Sequence, residues 1–450
     1  MQDLTTGSIS RHLLKTTSFM LVTMLFQTLY FLIDLYWIGR LGSQAVAAIS
    51  IAGNMTFIVL ALSQMLGVGT TTLVSHAVGQ KDKARALLVF NQSQVLSLVC
   101  GALFVVAGFA LRPAYVNALS ADAETARMAS EFLGWFIPAM GLQFGLVALS
   151  AALRGTGNFR PGMVVGTATV VINMVLAPFL IFGWGTGMAF GVAGAAMSSF
   201  IAVAIGVAWL ATYLFRADSY LRFVRADWKP QGHLWGALLK VGLPAGAEFA
   251  MMAVYLFIVY VISRPFGAAA QAGFGIGLRL VQAGFMPIVA LGFGVAPVAG
   301  QNFGAQKPER VRQAFRDAAW MAAGTMAVFG VICFTVPHQM VGFFSSDPAV
   351  IAVGEEYLRI IAWSFVGSGV TFVSSSMFQS VGNSVPPLIT SFARIVLIAV
   401  PSFILAGMAG FELRWIWYLS AAAILLQTGC NLLLLRREFA RKLNFATTAP

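Results

Sequence analysis

Charged residues are scarce in this 450-residue chain: Asp, Glu, Lys and Arg make up only 10% of it, against about 25% in a soluble domain. Hydrophobic residues reach 59% and the mean hydropathy is +0.83. That balance excludes an ordinary soluble enzyme, a nucleic-acid-binding domain and a disordered scaffold, because the apolar surplus needs lipid as its solvent. Cysteine is nearly missing. Cys100, Cys333 and Cys430 each lie in an apolar run and none sits in a CxxC pair, so neither a disulfide framework nor a zinc site is legible. His12, His76, His233 and His338 are scattered, which argues against a metal cluster. There is no HExxH, no paired His/Asp cluster and no Walker loop for ATP, so no cofactor is expected and energy must come from an ion gradient or a partner. A cleavable signal is not expected either: Met1 to Ser10 is polar, and the apolar run behind it is long enough to span a bilayer.

What is present is a series of such runs. A span needs about 20 mostly apolar residues. Twelve stretches qualify: 13–38, 46–76, 87–111, 127–152, 161–182, 190–215, 235–262, 271–301, 314–336, 351–379, 387–408 and 415–435. The second, eighth and tenth are long enough to tilt or protrude. The net charge of +12 is distributed between the runs. With the N-terminus in the cytoplasm, 20 of the 28 Lys and Arg residues fall on the inside and 5 on the outside, with Arg279, Arg359 and Arg394 within spans. This bias predicts an even number of spans with both termini cytoplasmic.

The longest polar stretch between spans, RADSYLRFVRADWKPQGH, lies at the midpoint. It predicts a six-helix bundle over 1–215, a linker over 216–233, a second bundle over 234–436 and a tail over 437–450. Sliding the chain along itself by half its length supports the division. Lys15 falls on Lys240, Gly42 on Gly267, Gly79 on Gly304 and Arg85 on Arg310. Asp122 falls on Asp347, and Gly157, Asn158 and Pro161 fall on Gly382, Asn383 and Pro386. The coincidences sit at helix ends, in the basic loop and in the GNxxP turn. Two units of even span number keep one orientation, so a pseudo-two-fold axis along the membrane normal is expected. Two such halves leave a cleft that rocking would expose to alternate sides. No filter-like repeat of carbonyls suggests a channel.

Most of the 16 acids lie in loops or at span ends, and two do not: Asp34 in QTLYFLIDLYWIG and Glu248 in GLPAGAEFAMMAVY. A carboxylate at a helix centre costs about 2.5–3.5 kcal/mol on insertion scales, so it usually faces a bundle interior or water. Neither has a basic residue three or four positions away on its own helix. Such a group can take a proton from one side and release it to the other, or attract Na+ or a cationic substrate. The competing reading of Asp34 is a structural acid bonded to a neighbouring helix. For Glu248 it is a buried pair with Arg279 or Arg394, which need not add stability. Asn173 in the fifth span, with Pro178 freeing carbonyls after it, is an equally good candidate for hard-oxygen chemistry or interhelical glue. Gln27, Tyr30, Ser198 and Ser199 are weaker candidates. The 19 Met residues and 12% aromatics, Met252 among them, suit a promiscuous pocket but are also ordinary lipid-facing filler.

Several of these segments resemble the multidrug and toxic compound extrusion (MATE) transporters. QTLYFLIDLYWIGRLGSQAVAA is similar to that family's opening helix, VSHAVGQKDKARA and VAGQNFGAQKPERVR to its two loop signatures, GTGNFRP and SVGNSVP to its turns, and GVAGAAMSS to the start of its sixth helix. The resemblance implies a V-shaped pair of six-helix bundles that export lipophilic, often cationic compounds, driven by H+ or Na+. Under it Asp34 matches the cation-coupling aspartate of prokaryotic members, Asn173 a nearby asparagine, and Ser199 a position where relatives carry threonine. There are departures. Ala177 stands where relatives commonly have a second aspartate, which favours H+ over Na+. KTTSFM replaces a segment where many members have proline. Glu248 lies one turn before a seventh-helix glutamate position, here Met252.

The expectation is a monomeric, all-α secondary antiporter for organic cations and drugs, contacting membrane lipids and not nucleic acid. Asp34, Asn173, Tyr30 and Ser199 would couple the ion, and Glu248, Arg279, Gln27 and Met252 would form a substrate or second coupling site. One alternative is a lipid-linked precursor flippase, disfavoured because its cationic cleft would have only Arg279, Arg359 and Arg394 to draw on. A membrane-embedded enzyme or receptor is disfavoured by the lack of a catalytic cluster or large soluble domain.

Overall fold

The structure is a computed structural model. It describes every residue except 1, 54, 121, 186, 217–219, 409 and 446–450, and the side chains of the described residues except those of 31, 32, 35 and 43. Residues 217–219 of the expected linker and 446–450 of the expected tail therefore lie outside the described residues. Among the described residues there are helices and no strands. They run α1 Ile9–Gly39, α2 Ser43–Gly53, α3 Met55–Gly79, α4 Lys83–Leu119, α5 Ala123–Gly155, α6 Arg160–Phe182 and α7 Gly191–Phe215 in the first half. The second half holds α8 Gly232–Ser263, α9 Ala268–Gly304, α10 Pro308–Thr335, α11 Pro337–Gly342, α12 Pro348–Ile361, α13 Phe365–Ser380, α14 Val385–Ala406 and α15 Arg414–Lys442.

Eleven helical runs among the described residues are long and apolar enough to cross a membrane. The 31-residue α1 brings the long runs to twelve, six on each side of the linker. The chain is a multi-pass, all-α membrane protein. The long tenth span is two helices, α12 and α13, joined by a single 3-10 turn at Ala362–Ser364. No proline interrupts α1, which is one continuous helix. Aspartates cap helix starts at repeat-related places: Asp122 accepts from the Thr125 amide at 2.8 Å and Asp347 from the Ala349 amide at 2.9 Å.

The helices pack as two units, Met1–Asp3 with Ser18–Gly246, and Leu4–Thr17 with Ala247–Pro450. The first unit has two larger apolar clusters and a small one of Val68, Val241 and Ala245 among the described residues. One of the larger two gathers Phe90, Phe144, Leu149, Leu210 and Leu214, and the other Ile38, Phe132, Leu133, Ile137 and Ile181. The beginning of α8 belongs here because small residues let it press on α3. A Cβ on Gly69 would come 2.5 Å from the Leu238 carbonyl oxygen, and one on Gly246 equally close to that of Ala61. Membrane helices lack a hydrophobic force between them, so such close approach is how they gain packing.

The second unit has one large core that includes Phe274, Tyr357, Phe365 and the fully buried Trp417. Leu4, Ile9 and Leu13 join it. Gly294, which falls on Gly69 when the two halves are aligned in sequence, faces Thr16 and Thr17 of α1 at 2.8–3.1 Å. The repeat is thus visible in packing as well as in sequence. The residues before α1 are fixed by polar contacts: Leu4 donates its amide to Gln301 Oε1 at 3.0 Å and accepts from Asn302 Nδ2 at 3.0 Å, and Lys307 reaches the Thr5 carbonyl at 2.9 Å.

Candidate functional site

In the first unit, α1 carries Asp34 one turn beyond Tyr30. The Tyr30 hydroxyl lies 3.3 Å from Ser199 Oγ on α7. Asn173 on α6 donates from Nδ2 to the same Ser199 Oγ at 2.8 Å, and its Oδ1 accepts from Ser198 Oγ at 3.3 Å. Both serines also bond the Ala195 carbonyl of the preceding turn, at 2.8 and 3.3 Å, a use of hydroxyls that helix interiors allow. Asn173 is 5% exposed. Four of the expected residues are therefore brought together by three helices. Asp34 Oδ1 is buried and has no hydrogen-bond partner, and no cation stands against it among the described residues. Its charge does reach Tyr30.

The second unit holds Glu248 on α8. Its Oε1 accepts from Ser375 Oγ on α13 at 2.8 Å, and the Ser391 hydroxyl on α14 lies beside it. Gln427 on α15 donates to Ser391 Oγ at 3.0 Å. Arg394, one turn along α14 from Ser391, interacts electrostatically with Glu248 and with Tyr255. It makes no direct ion pair with Glu248 among the described residues, and both Glu248 Oε2 and Arg394 Nε are buried without a hydrogen-bond partner. Of the two arginines weighed as partners, Arg394 is the one near Glu248. Arg279 is exposed on α9, without a hydrogen bond or ion pair to Glu248 among the described residues. Gln27 and Met252 are also exposed and are not drawn into either cluster. Ser375, Ser391 and Gln427 were not singled out from the sequence. The only signal was a run of serines, SSS at 374–376, inside an apolar span.

The two tyrosines make the repeat explicit. Tyr255 is the second-half counterpart of Tyr30 in the aligned sequence, and its hydroxyl likewise reaches a serine on the last helix of its own half of the chain, Ser420 on α15, at 3.3 Å. Among the described residues no group of three or more His, Cys, Asp or Glu could hold a metal ion.

The model of the MatE family matches residues 20–179 and again 244–404, the two matches ending half a chain length apart. The chain belongs to the MatE family. Among curated relatives it is similar to the multidrug export protein MepA of Staphylococcus haemolyticus, 27% identical over 409 residues that cover 90% of this chain and 88% of that protein. It is similar also to the probable multidrug resistance protein YoeA of Bacillus subtilis, 25% identical over 403 residues, covering 88% and 87%. Among solved structures, a MOP superfamily transporter from Pyrococcus furiosus superposes with a TM-score of 0.90 at 23% identity over 98% of both chains. A crystal structure of a MATE protein in a bent conformation gives 0.91 at 23% identity, over 98% of this chain and 97% of that one. These superpositions show that this MatE chain has the two-lobed MATE fold.

Proposed function

We propose that the protein is a secondary active efflux antiporter of the cytoplasmic membrane, exporting lipophilic and cationic organic compounds in exchange for H+. The observation that carries this reading is Asp34: a carboxylate inside a spanning helix, with one oxygen buried without a partner and no cation against it among the described residues, and a hydrogen-bonded Tyr30–Ser199–Asn173 chain one turn away. Ionised, Asp34 attracts an organic cation, and protonated, it has no charge with which to hold one. Binding of the proton and of the cation are thus competitive at one carboxylate, and competition at one site is what exchange requires. The names of the MepA and YoeA relatives support export of drugs, and charge bias supports two cytoplasmic termini.

H+ is preferred to Na+ because Ala177 supplies no second carboxylate beside Asn173. A Na+ site takes several hard oxygen ligands, whereas a proton needs one. Glu248 serves as a second site, for substrate charge or protons, with Arg394 as its neighbour. No enzymatic step is proposed, since substrate should leave chemically unchanged.

The test is flux in proteoliposomes of full-length protein under separately imposed H+ and Na+ gradients. A pH gradient alone should drive organic-cation transport, and Asp34→Asn should remove that drive. Full gradient-driven flux in the Asp34→Asn protein would overturn the coupling assignment, and flux that follows only Na+ would overturn the choice of ion.

A further inference from the structure

One turn beyond Asp34, α1 ends in an aromatic group that the exchange mechanism does not use. Trp37 meets Trp184 edge-on at 5.6 Å and Phe182 at 6.0 Å, and Phe182 stacks on Trp184 at 5.7 Å. Tyr36 stands against Trp37 at 5.0 Å. The Arg40 guanidinium lies over the Tyr36 ring at 4.8 Å and the Trp37 ring at 5.7 Å, and its Nη2 donates to the Tyr36 hydroxyl at 2.6 Å. Arg40 has no acidic partner among the described residues; the rings are what hold its charge.

We propose that Tyr36, Trp37 and Trp184 form an outer subsite for the cationic centre of a lipophilic ammonium or phosphonium compound, in which Arg40 is seated as a tethered stand-in for that cation. The proposal rests on the export reading above and adds a place for the exported cation. Aromatic faces attract a cation through their ring quadrupoles, most strongly when water is thinned around it. A loop built to keep Trp184 in place supports a dedicated site. Gly183 at φ 72° and Gly185 at φ 74° adopt left-handed backbone on either side of Trp184. A Cβ on Gly183 would come 2.8 Å from the Met188 carbonyl carbon. The Phe190 amide closes the loop onto the Leu180 carbonyl at 2.9 Å. Tyr36 and Trp184 remain 54% and 47% exposed, so the group is open to an arriving or departing ligand. Trp37 lies three positions beyond Asp34 on α1, which places the subsite within about one helical turn of the coupling carboxylate.

A mere interfacial belt of Trp and Tyr would explain aromatics at this level. It would not make affinity for an organic cation depend on Arg40. The experiment is equilibrium binding of labelled tetraphenylphosphonium to the purified full-length protein at low salt, with thermal unfolding in parallel. Arg40→Gln should tighten binding about fivefold, the scale of one cation–π contact released for the ligand. Trp184→Ala should weaken binding by a similar factor and cancel the gain from Arg40→Gln, while Trp184→Phe should keep most of it. Unchanged or weaker binding in Arg40→Gln overturns the subsite, as does a Trp184→Ala protein that is less stable but binds as before. The two readings fail separately. Binding that responds to Arg40 without any cation flux would sink the export reading alone, and flux with binding indifferent to Arg40 and Trp184 would sink the subsite alone.

Discussion

The opening helices of the two halves, α1 and α8, superimpose in sequence register but not in chemistry. In the alignment of the halves, Tyr30 falls on Tyr255, yet Asp34 falls on Val259 and Glu248 on Thr23. The two carboxylates are therefore eleven positions apart in the common frame, about 16 Å along a helix axis. Their surroundings differ as well. Asp34 has no cation against it among the described residues, whereas Glu248 has Arg394, at a place where the first half has Thr169. Even the frame around Glu248 is matched: Ser391, beside Glu248, corresponds to Gly166, and a Cβ on Gly166 would come 3.6 Å from the Thr23 methyl group. One scaffold thus presents the same helix contact twice, once bare and once loaded with a carboxylate and a guanidinium. The lesson is that duplication preserved packing while charge was placed independently in each half.

The strongest way to break this comparison is to neutralise each acid in turn. Asp34→Asn should reduce H+-driven flux at least tenfold in proteoliposomes, an effect of about 1.4 kcal/mol or more. Glu248→Gln should cost less, because Arg394 and Ser375 already accompany that group. Equal losses would mean that the two acids share one task and that the contrast between them is superficial. A double-mutant cycle on Glu248 and Arg394 sharpens the point. Groups in one polar network couple by about 0.5–3 kcal/mol. Thermal unfolding of Glu248→Gln, Arg394→Gln and the double variant should show coupling in that range, with the double variant less destabilised than the sum of the singles. The corresponding cycle on Thr23 and Thr169 in the first half should show none.

Most of the fold was legible because lipid enforces long apolar runs and satisfied backbones. The twelve spans and the repeat followed from run length, charge bias and the spacing of Gly, Asn and Pro. The Asp34 group was legible for a related reason: a lone acid in a span is conspicuous, and Tyr30 stands one turn from it. The partners of Glu248 were not. Ser375, Ser391 and Gln427 come from three helices more than a hundred residues along the chain, and a serine in a span carries no mark of what it faces. The clamp on the linker was equally silent. Asn91 bonds the Arg222 carbonyl, the Val224 amide and Trp228 Nε1 at 3.0–3.1 Å, and Gln92 bonds the Asp227 and Lys229 carbonyls at 2.5–2.7 Å. Nothing in the sequence marks two adjacent amides in α4 as the hold on a loop more than 130 residues away. The stretch before α1 reads as polar, yet Leu4 is fully buried, because Gln301 and Asn302 lie nearly three hundred residues away.

The packing half of the comparison can be tested at the repeat-related glycines. A Cβ on Gly69 would come 2.5 Å from a backbone carbonyl that has no free rotor to move, while one on Gly294 would meet the Thr16 hydroxyl at 2.8 Å and the Thr17 amide at 3.1 Å. Overpacking costs about 1–3 kcal/mol where nothing can give. Gly69→Ala should therefore destabilise more than Gly294→Ala in thermal unfolding, since a threonine side chain can rotate away. The reverse order would show that the two contacts are not equivalent in rigidity.

The smallest expected effect lies at the caps, and it asks how far the likeness of the halves extends. Asp122 and Asp347 open α5 and α12 at the same repeat position, but Asp122 accepts from both the amide and the hydroxyl of Thr125, each at 2.8 Å, whereas Asp347 accepts from the Ala349 amide at 2.9 Å. The Thr125 amide first, and then its hydroxyl, hold the Asp122 carboxyl below its ordinary range. A group with a lowered folded-state pKa contributes stability above its unfolded value, about 3.9 for aspartate, and loses it as pH falls through the folded value. Asp122→Ala should accordingly speed amide exchange in the first turn of α5 at neutral pH, and the difference from the parent protein should close on acidification below that range. Asp347→Ala should have a weaker effect on α12 at neutral pH, because one bond is lost in place of two. A pH-independent effect of Asp122→Ala would assign the cap to helix geometry alone, and the charge of Asp122 would then have no part in holding α5.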